Sequence, residues 1–200
     1  MAGIEEIKAL SKKIFITDAG IVSRYGLQTQ KNITALFDDF TKAKEGYDQT
    51  IKRVSENAAA IIKTKDERKK RLGANAMNGD RMLIEESIEE ISAFTSGFRR
   101  LEGDLDVYIE AGEYRLSEVD SLLGSGQQNL PPGLRSPEGE LYIRQCRKAF
   151  DEKLMSLKTS RTACAQYIAL TDIETNNMQS CLLTVDQILG IIIPGGKIDL

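Results

Sequence analysis

Apolar residues return along this chain at seven-residue intervals. Ile33, Phe40, Tyr47, Val54 and Ile61 fall at strict sevens, with Phe37, Ile51 and Ala58 at the alternate positions. Further on, Ile84, Ile91, Phe98, Leu105 and Val119 keep one register, while Phe94, Leu101, Tyr108 and Leu122 keep the other. A third series runs Phe150, Leu154, Leu157, Arg161, Cys164, Ile168, Thr171, Thr175, Met178, Leu182, Val185 and Leu189. A heptad repeat held this long describes one narrow apolar seam per helix, as in bundles and coiled coils. A compact set of short helices would show wider apolar faces.

Proline marks where these seams are interrupted. It occurs only at Pro131, Pro132, Pro137 and Pro194, and a helix interior tolerates it poorly, at a cost of about 3 kcal/mol. The segment GSGQQNLPPGLRSPEG is a loop by its density of turn-forming residues, and GANAMNG at 73–79 reads as a weaker break. The pattern therefore predicts helices over about 27–72, 80–123 and 140–193, joined across 73–79 and by the loop 124–139. The predicted fold class is all-α: an elongated antiparallel three-helix bundle of coiled-coil-like rods. At about 1.5 Å per residue each rod would be roughly 65 to 80 Å long. Residues 27–200 form a single helical domain in this reading, and residues 1–26 an N-terminal extension. Within the extension, Ile4 to Leu10 can make a short helix, while IFITDAGIV suggests an extended or irregular connection. A turn centred near Ala76 would also set the basic run KTKDERKKR (63–71) beside Glu85, Glu86, Glu89 and Glu90. Exposed pairs of this kind contribute about 0–1 kcal/mol each, enough to favour a register.

Composition narrows the chemistry. The 200 residues are 41% apolar and 28% charged, with a net charge of −3, so the chain as a whole shows no electrostatic bias toward nucleic acid or anionic lipid. Histidine is absent, which removes the commonest general base and zinc ligand and leaves no basis for a di-iron bundle motif. The three cysteines, Cys146, Cys164 and Cys181, are widely spaced and form no C-x-x-C pair; they fit a reducing compartment, and Cys164 on the seam reads as a small hydrophobe. The glycine clusters at 124–126 and 194–196 neither follow a strand nor lead into GK[ST]. Glu102, Asp104, Asp106, Glu110 and Glu113 surround the seam residues Leu101, Leu105 and Tyr108, as a solvated helix face does. The longest apolar run, 188–193, is far short of the roughly 20 residues that span a bilayer, and the charged N-terminus lacks the apolar core of a signal peptide. The expectation is a cytoplasmic protein, at most peripheral to the membrane. It would be non-enzymatic, without cofactor, metal or nucleic-acid partner, and would associate with a protein partner or itself through helix faces. A membrane surface is the other partner considered, through the basic run and residues 188–193.

The middle of the third helix departs from the apolar pattern. In TSRTACAQYIALTDIETNNMQS the seam passes through Arg161, Thr171 and Thr175, with Gln166, Asp172, Asn176 and Asn177 nearby. Polar residues at seam positions cost stability unless paired. They imply either a hydrogen-bonded layer that sets register or a site for a ligand or partner.

This stretch also carries a family resemblance. LDVYIEAGEYRL (105–116) and KLMSLKTSRTACAQYIALTDIETNNMQSCLLTV (153–185) present an L-x-x-Y-I-x-A-G-x-x-x-L helix, then L-x-x-x-R-T-x-x-x-Q, then an asparagine pair before an apolar run. A further match lies at Tyr25-Gly26 with Gln30 and Ile33. In this order the motifs resemble the toxic-anion-resistance (TelA-like) family, in a divergent or shortened form, and they cover about half the chain. The resemblance implies a helical interaction or scaffold protein of tellurite or cell-envelope stress resistance. It singles out Tyr108, Arg161, Gln166, Asn176 and Asn177 as a buried polar network that fixes helix packing or docks a partner. The alternatives are direct oxyanion or metal binding through Arg161 and the cysteines, and a peripheral membrane-associating module.

Overall fold

A computed structural model describes residues 4–192, and among these every regular element is helical. Two short helices, α1 (Ile4–Ser11) and α2 (Ala19–Arg24), precede three long ones, α3 (Leu27–Lys63), α4 (Glu67–Gly124) and α5 (Pro137–Ile192). Two 3-10 turns, Gln127–Asn129 and Pro132–Leu134, lie in the predicted loop between α4 and α5. The fold is all-α with three long helices, as the heptads predict. The final residue of the predicted third helix, Ile193, lies outside the described residues.

The heptad seams are the core. On α3, Ile33, Phe40, Tyr47, Val54 and Ile61 are all buried. On α4 the buried series is Met77, Ile84, Ile91, Phe98 and Leu105, continued by Gly112 and Val119. On α5 it is Ile143, Phe150, Leu157, Cys164, Thr171, Met178 and Val185.

The first break falls elsewhere than predicted. α3 ends at Lys63 and α4 begins at Glu67, so GANAMNG lies inside α4 and no turn is centred near Ala76. Ala74 and Met77 are seam residues, both buried. Gly73 is a packing position: a Cβ there would stand 2.5 Å from Ile61 Cγ1. The chain reverses at 64–66, where Asp66 Oδ1 accepts hydrogen bonds from the Arg68 and Lys69 amides at 2.9 and 3.3 Å and so caps the new helix. The basic run therefore forms the reversal itself and does not lie against the predicted acidic strip. Glu85 instead pairs with Arg81 at 3.3 Å, and Glu90 accepts a hydrogen bond from Tyr47. α5 starts at Pro137, earlier than expected, because Ser136 caps it through the Gly139 amide at 3.1 Å and proline is favoured at the first helical position.

The chain divides into two compact units, Met1–Ala35 with Phe98–Gln166, and Leu36–Gly97 with Tyr167–Leu200. In the first, three ion pairs, Asp106 with Arg161, Glu113 with Lys158 and Asp120 with Arg147, ascend α4 while descending α5, so the two helices are antiparallel. The N-terminal residues pack onto this pair. Tyr25 meets Tyr108 and Phe150 edge-on at 5.2 and 5.3 Å, and its hydroxyl donates to the Tyr108 carbonyl at 2.7 Å. The stretch expected to be extended or irregular carries α2, which Asp18 caps through the Gly20 and Ile21 amides. Ile14 and Ile16 before it are buried. In the second unit, Phe40 with Phe94 and Arg53 with Asp80 make α3 and α4 antiparallel. Thr95 with Thr171 and Arg81 with Asp186 do the same for α4 and α5. Phe37 stacked on Tyr167 at 4.0 Å and Lys44 paired with Glu174 run α3 and α5 in parallel.

Candidate functional site

Polar groups inside a heptad seam are the first place to look for chemistry, because each must be paired or put to use. Thr171 and Glu174 are core residues of α5, with 0% and 3% of their surface exposed. The Thr171 hydroxyl donates to the Ile168 carbonyl at 2.7 Å and accepts from Thr95 at 2.9 Å. Glu174 Oε1 lies 2.7 Å from Lys44 Nζ, and Lys44 reaches Asp48 at 3.1 Å. Hydrogen bonding to Glu174 holds the Lys44 ammonium above its ordinary range. One turn along α3, the Tyr47 hydroxyl donates to Glu90 Oε2 at 2.8 Å; burial first, then Glu90, raises its pKa. Further along the same unit, buried Asp80 accepts from Arg53 Nε at 2.6 Å and Asn57 Nδ2 at 2.9 Å. Among the described residues no buried side-chain polar atom lacks a partner. Within the second unit these pairs join α3 to α4 and α5, and α4 to α5.

The five residues implied by the family resemblance do not form that layer. Tyr108 is half-buried under Tyr25. Arg161 is exposed and bound to Asp106 on α4. Gln166, Asn176 and Asn177 are exposed on α5; Asn177 Nδ2 lies 3.4 Å from Glu174 Oε2, and the Asn176 carbonyl accepts from Ser180 at 2.9 Å. The first three belong to one unit and the asparagines to the other. The expectation of a buried network among them is therefore corrected: the seam passes through Thr171 and Glu174, and Arg161 and the asparagines fall on the outer face. Glu174 escaped the sequence reading because Thr175, its neighbour, fits a three-four spacing equally well. Strict sevens from Phe150 through Leu157 and Cys164 to Thr171, Met178 and Val185, with Cys181 between them, select Glu174.

The remaining chemistry-bearing groups are held quietly. Cys164 and Cys181 are buried. Burial, then Glu102, pushes the Cys164 thiol up to about 11, and burial with Asp80 raises that of Cys181. Cys146 is partly exposed and lines a pocket of about 390 Å³ with Ile16, Val22, Tyr142 and Lys153. Burial lowers the pKa of Lys153, whose ammonium donates to Gln30 Oε1 at 2.7 Å. Among the described residues, no group of three or more His, Cys, Asp or Glu side chains is arranged to hold a metal ion. None of the described helices is long and apolar enough to cross a membrane. No protein-family model, curated protein or solved structure matches the chain.

Proposed function

We propose that this chain is a non-enzymatic helical interaction protein, a scaffold of the toxic-anion (tellurite) or cell-envelope stress-resistance type. The observation that carries the reading is the outward placement of Arg161, Gln166, Asn176 and Asn177. The heptad residues fill the interior without them, so the side chains that the family resemblance singles out stand where a protein partner can reach them. Within the second unit, Ile173 and Leu183 on α5 are exposed as well as Asn176 and Asn177, and exposed apolar and polar side chains of one helix suit a docking face.

The test is genetic and structural together. A deletion strain of the native host is complemented with the wild-type chain or with Arg161→Ala, Gln166→Ala, Asn176→Ala and Asn177→Ala combined. The expected result is loss of growth under tellurite or envelope stress with an unchanged helical circular dichroism spectrum. A deletion strain that grows normally under both stresses overturns the reading. Direct oxyanion capture by Arg161 and the thiols has weaker support, because Asp106 already engages Arg161 and the raised Cys164 pKa keeps thiolate scarce near neutrality. Tellurite titration of the intact protein distinguishes the two.

A further inference from the structure

We propose that the end of the second unit, built from the 64–66 reversal and the last turns of α5, is a docking surface for anionic lipid headgroups. The reasoning starts from charge. Residues 63–72 carry six cations and two acids in a chain whose net charge is −3. Both acids are already engaged: Asp66 caps α4, and Glu67 pairs with Lys70 at 2.7 Å. Lys63, Lys65, Arg68, Lys69 and Arg71 are exposed, and among the described residues no ion pair is formed by any of them. The reversal at 64–66 gathers these five charges at one end of α3 and α4.

Apolar side chains stand among them. Ile62, Leu72 and Ile191 are 73%, 62% and 78% exposed, and a largely apolar groove of about 490 Å³ is lined by Ile61, Ile62, Ile188, Ile191 and Ile192 together with the mutually paired Glu67 and Lys70. Exposed aliphatic side chains beside uncompensated cations match a bilayer interface, where headgroup phosphates take the charges and the acyl boundary takes the aliphatic tips. A nucleic-acid backbone would use the cations alone and would leave the isoleucines and leucine in water, and the aromatic side chains on which bases stack are missing from residues 61–72. The charge and the apolar groove together select lipid.

The inference is independent of the proposed function, since the two rest on different residues and different assays. The full-length protein is floated with phosphatidylcholine vesicles alone and with vesicles containing about one-third phosphatidylserine, at low and at high salt. Binding is expected only to the anionic vesicles and only at low salt. Reversing three charges (Lys65→Glu, Arg68→Glu, Lys69→Glu) is expected to lower the partition coefficient by more than about a hundredfold, since each cation near such a surface contributes about fivefold. Ile62→Ser with Leu72→Ser is expected to lower it about three- to tenfold, because apolar burial contributes to interfacial binding. These positions are exposed, and circular dichroism of each variant checks that it is folded. Failure of the wild-type protein to float with anionic vesicles overturns the proposal. So does charge-independent flotation, or binding to duplex DNA that is as tight as to vesicles and indifferent to the serine substitutions.

Discussion

Glu174 is a carboxylate in a core position, and Lys44 is what makes it tolerable there. Lys44 reaches in from α3 with its own side chain 31% exposed, so the pair is only partly shielded from solvent. Lys44→Ala is expected to destabilise the protein by about 1–3 kcal/mol, because it strands a buried charge. Replacing both partners with apolar residues (Lys44→Met, Glu174→Leu) is expected to cost much less, and urea denaturation of the two variants measures the difference. Two tyrosines give a second residue-scale prediction. Burial raises the Tyr25 and Tyr47 hydroxyls above the ordinary value of 10.0. A raised folded-state pKa contributes stability that is whole below the ordinary value and lost as pH climbs past it. An alkaline titration followed by tyrosinate absorbance is expected to show these two ionising late, with unfolding. Tyr25→Phe with Tyr47→Phe is expected to remove the part of the late phase that coincides with unfolding, leaving the exposed Tyr142, which hydrogen bonding with Cys146 also raises. The sequence makes the aromatic seam positions legible, since Phe40, Tyr47 and Phe98 stand at fixed sevens. It hides the partner of a buried charge, because Lys44 and Glu174 are distant in the chain and meet only once the register is known.

At the scale of whole helices, glycine separates what composition suggests from what packing decides. GANAMNG looks like a break because Gly and Asn are poor helix formers. It is helical because Ala74 and Met77 continue the α4 seam and Gly73 makes room for Ile61. Burial of the seam outweighs a local propensity cost of about 1 kcal/mol per glycine. The heptad itself could have revealed this, since Met77 stands seven residues before Ile84; reading the glycines first conceals it. The loop before α5 was plain from the sequence, because consecutive prolines remove amide donors that no seam can restore. Two glycines of α4 are expected to respond oppositely to alanine. At Gly112 a Cβ would come within 2.4 Å of Leu154 Cδ2, so Gly112→Ala is expected to cost about 1–3 kcal/mol through overpacking. At Gly79 a Cβ meets nothing within 4 Å, and Gly79→Ala is expected to stabilise by about 0.5–1 kcal/mol. Urea midpoints of the two variants should therefore move in opposite directions.

For the molecule as a whole, periodicity reports the interior far better than the surface, which is why the fold is more legible than the function. Seam residues obey a repeat that any three packed helices impose. Arg161, Gln166 and the asparagines obey no such repeat, so their exposure becomes clear only when the seam is laid down. Surface ion pairs of the first unit are expected to set the acid limb of stability. Hydrogen bonding to Arg147 holds Asp120 below the ordinary aspartate value of 3.8, and Arg144 does likewise for Glu140 below 4.5. A depressed folded-state pKa contributes stability that is whole above the ordinary value and lost as pH falls through the lowered one. Stability should thus stay level from weakly acid to neutral pH and decline below the ordinary carboxylate range. Because Asp120 and Arg147 are half-exposed, salt should blunt the decline. Arg147→Gln tests the assignment. It frees Asp120, so the thermal midpoint should fall less between pH 5 and pH 3 than in the wild type, while the alkaline limb governed by Tyr25 and Tyr47 stays unchanged. A variant whose acid decline matches the wild type would show that this ion pair has no part in it.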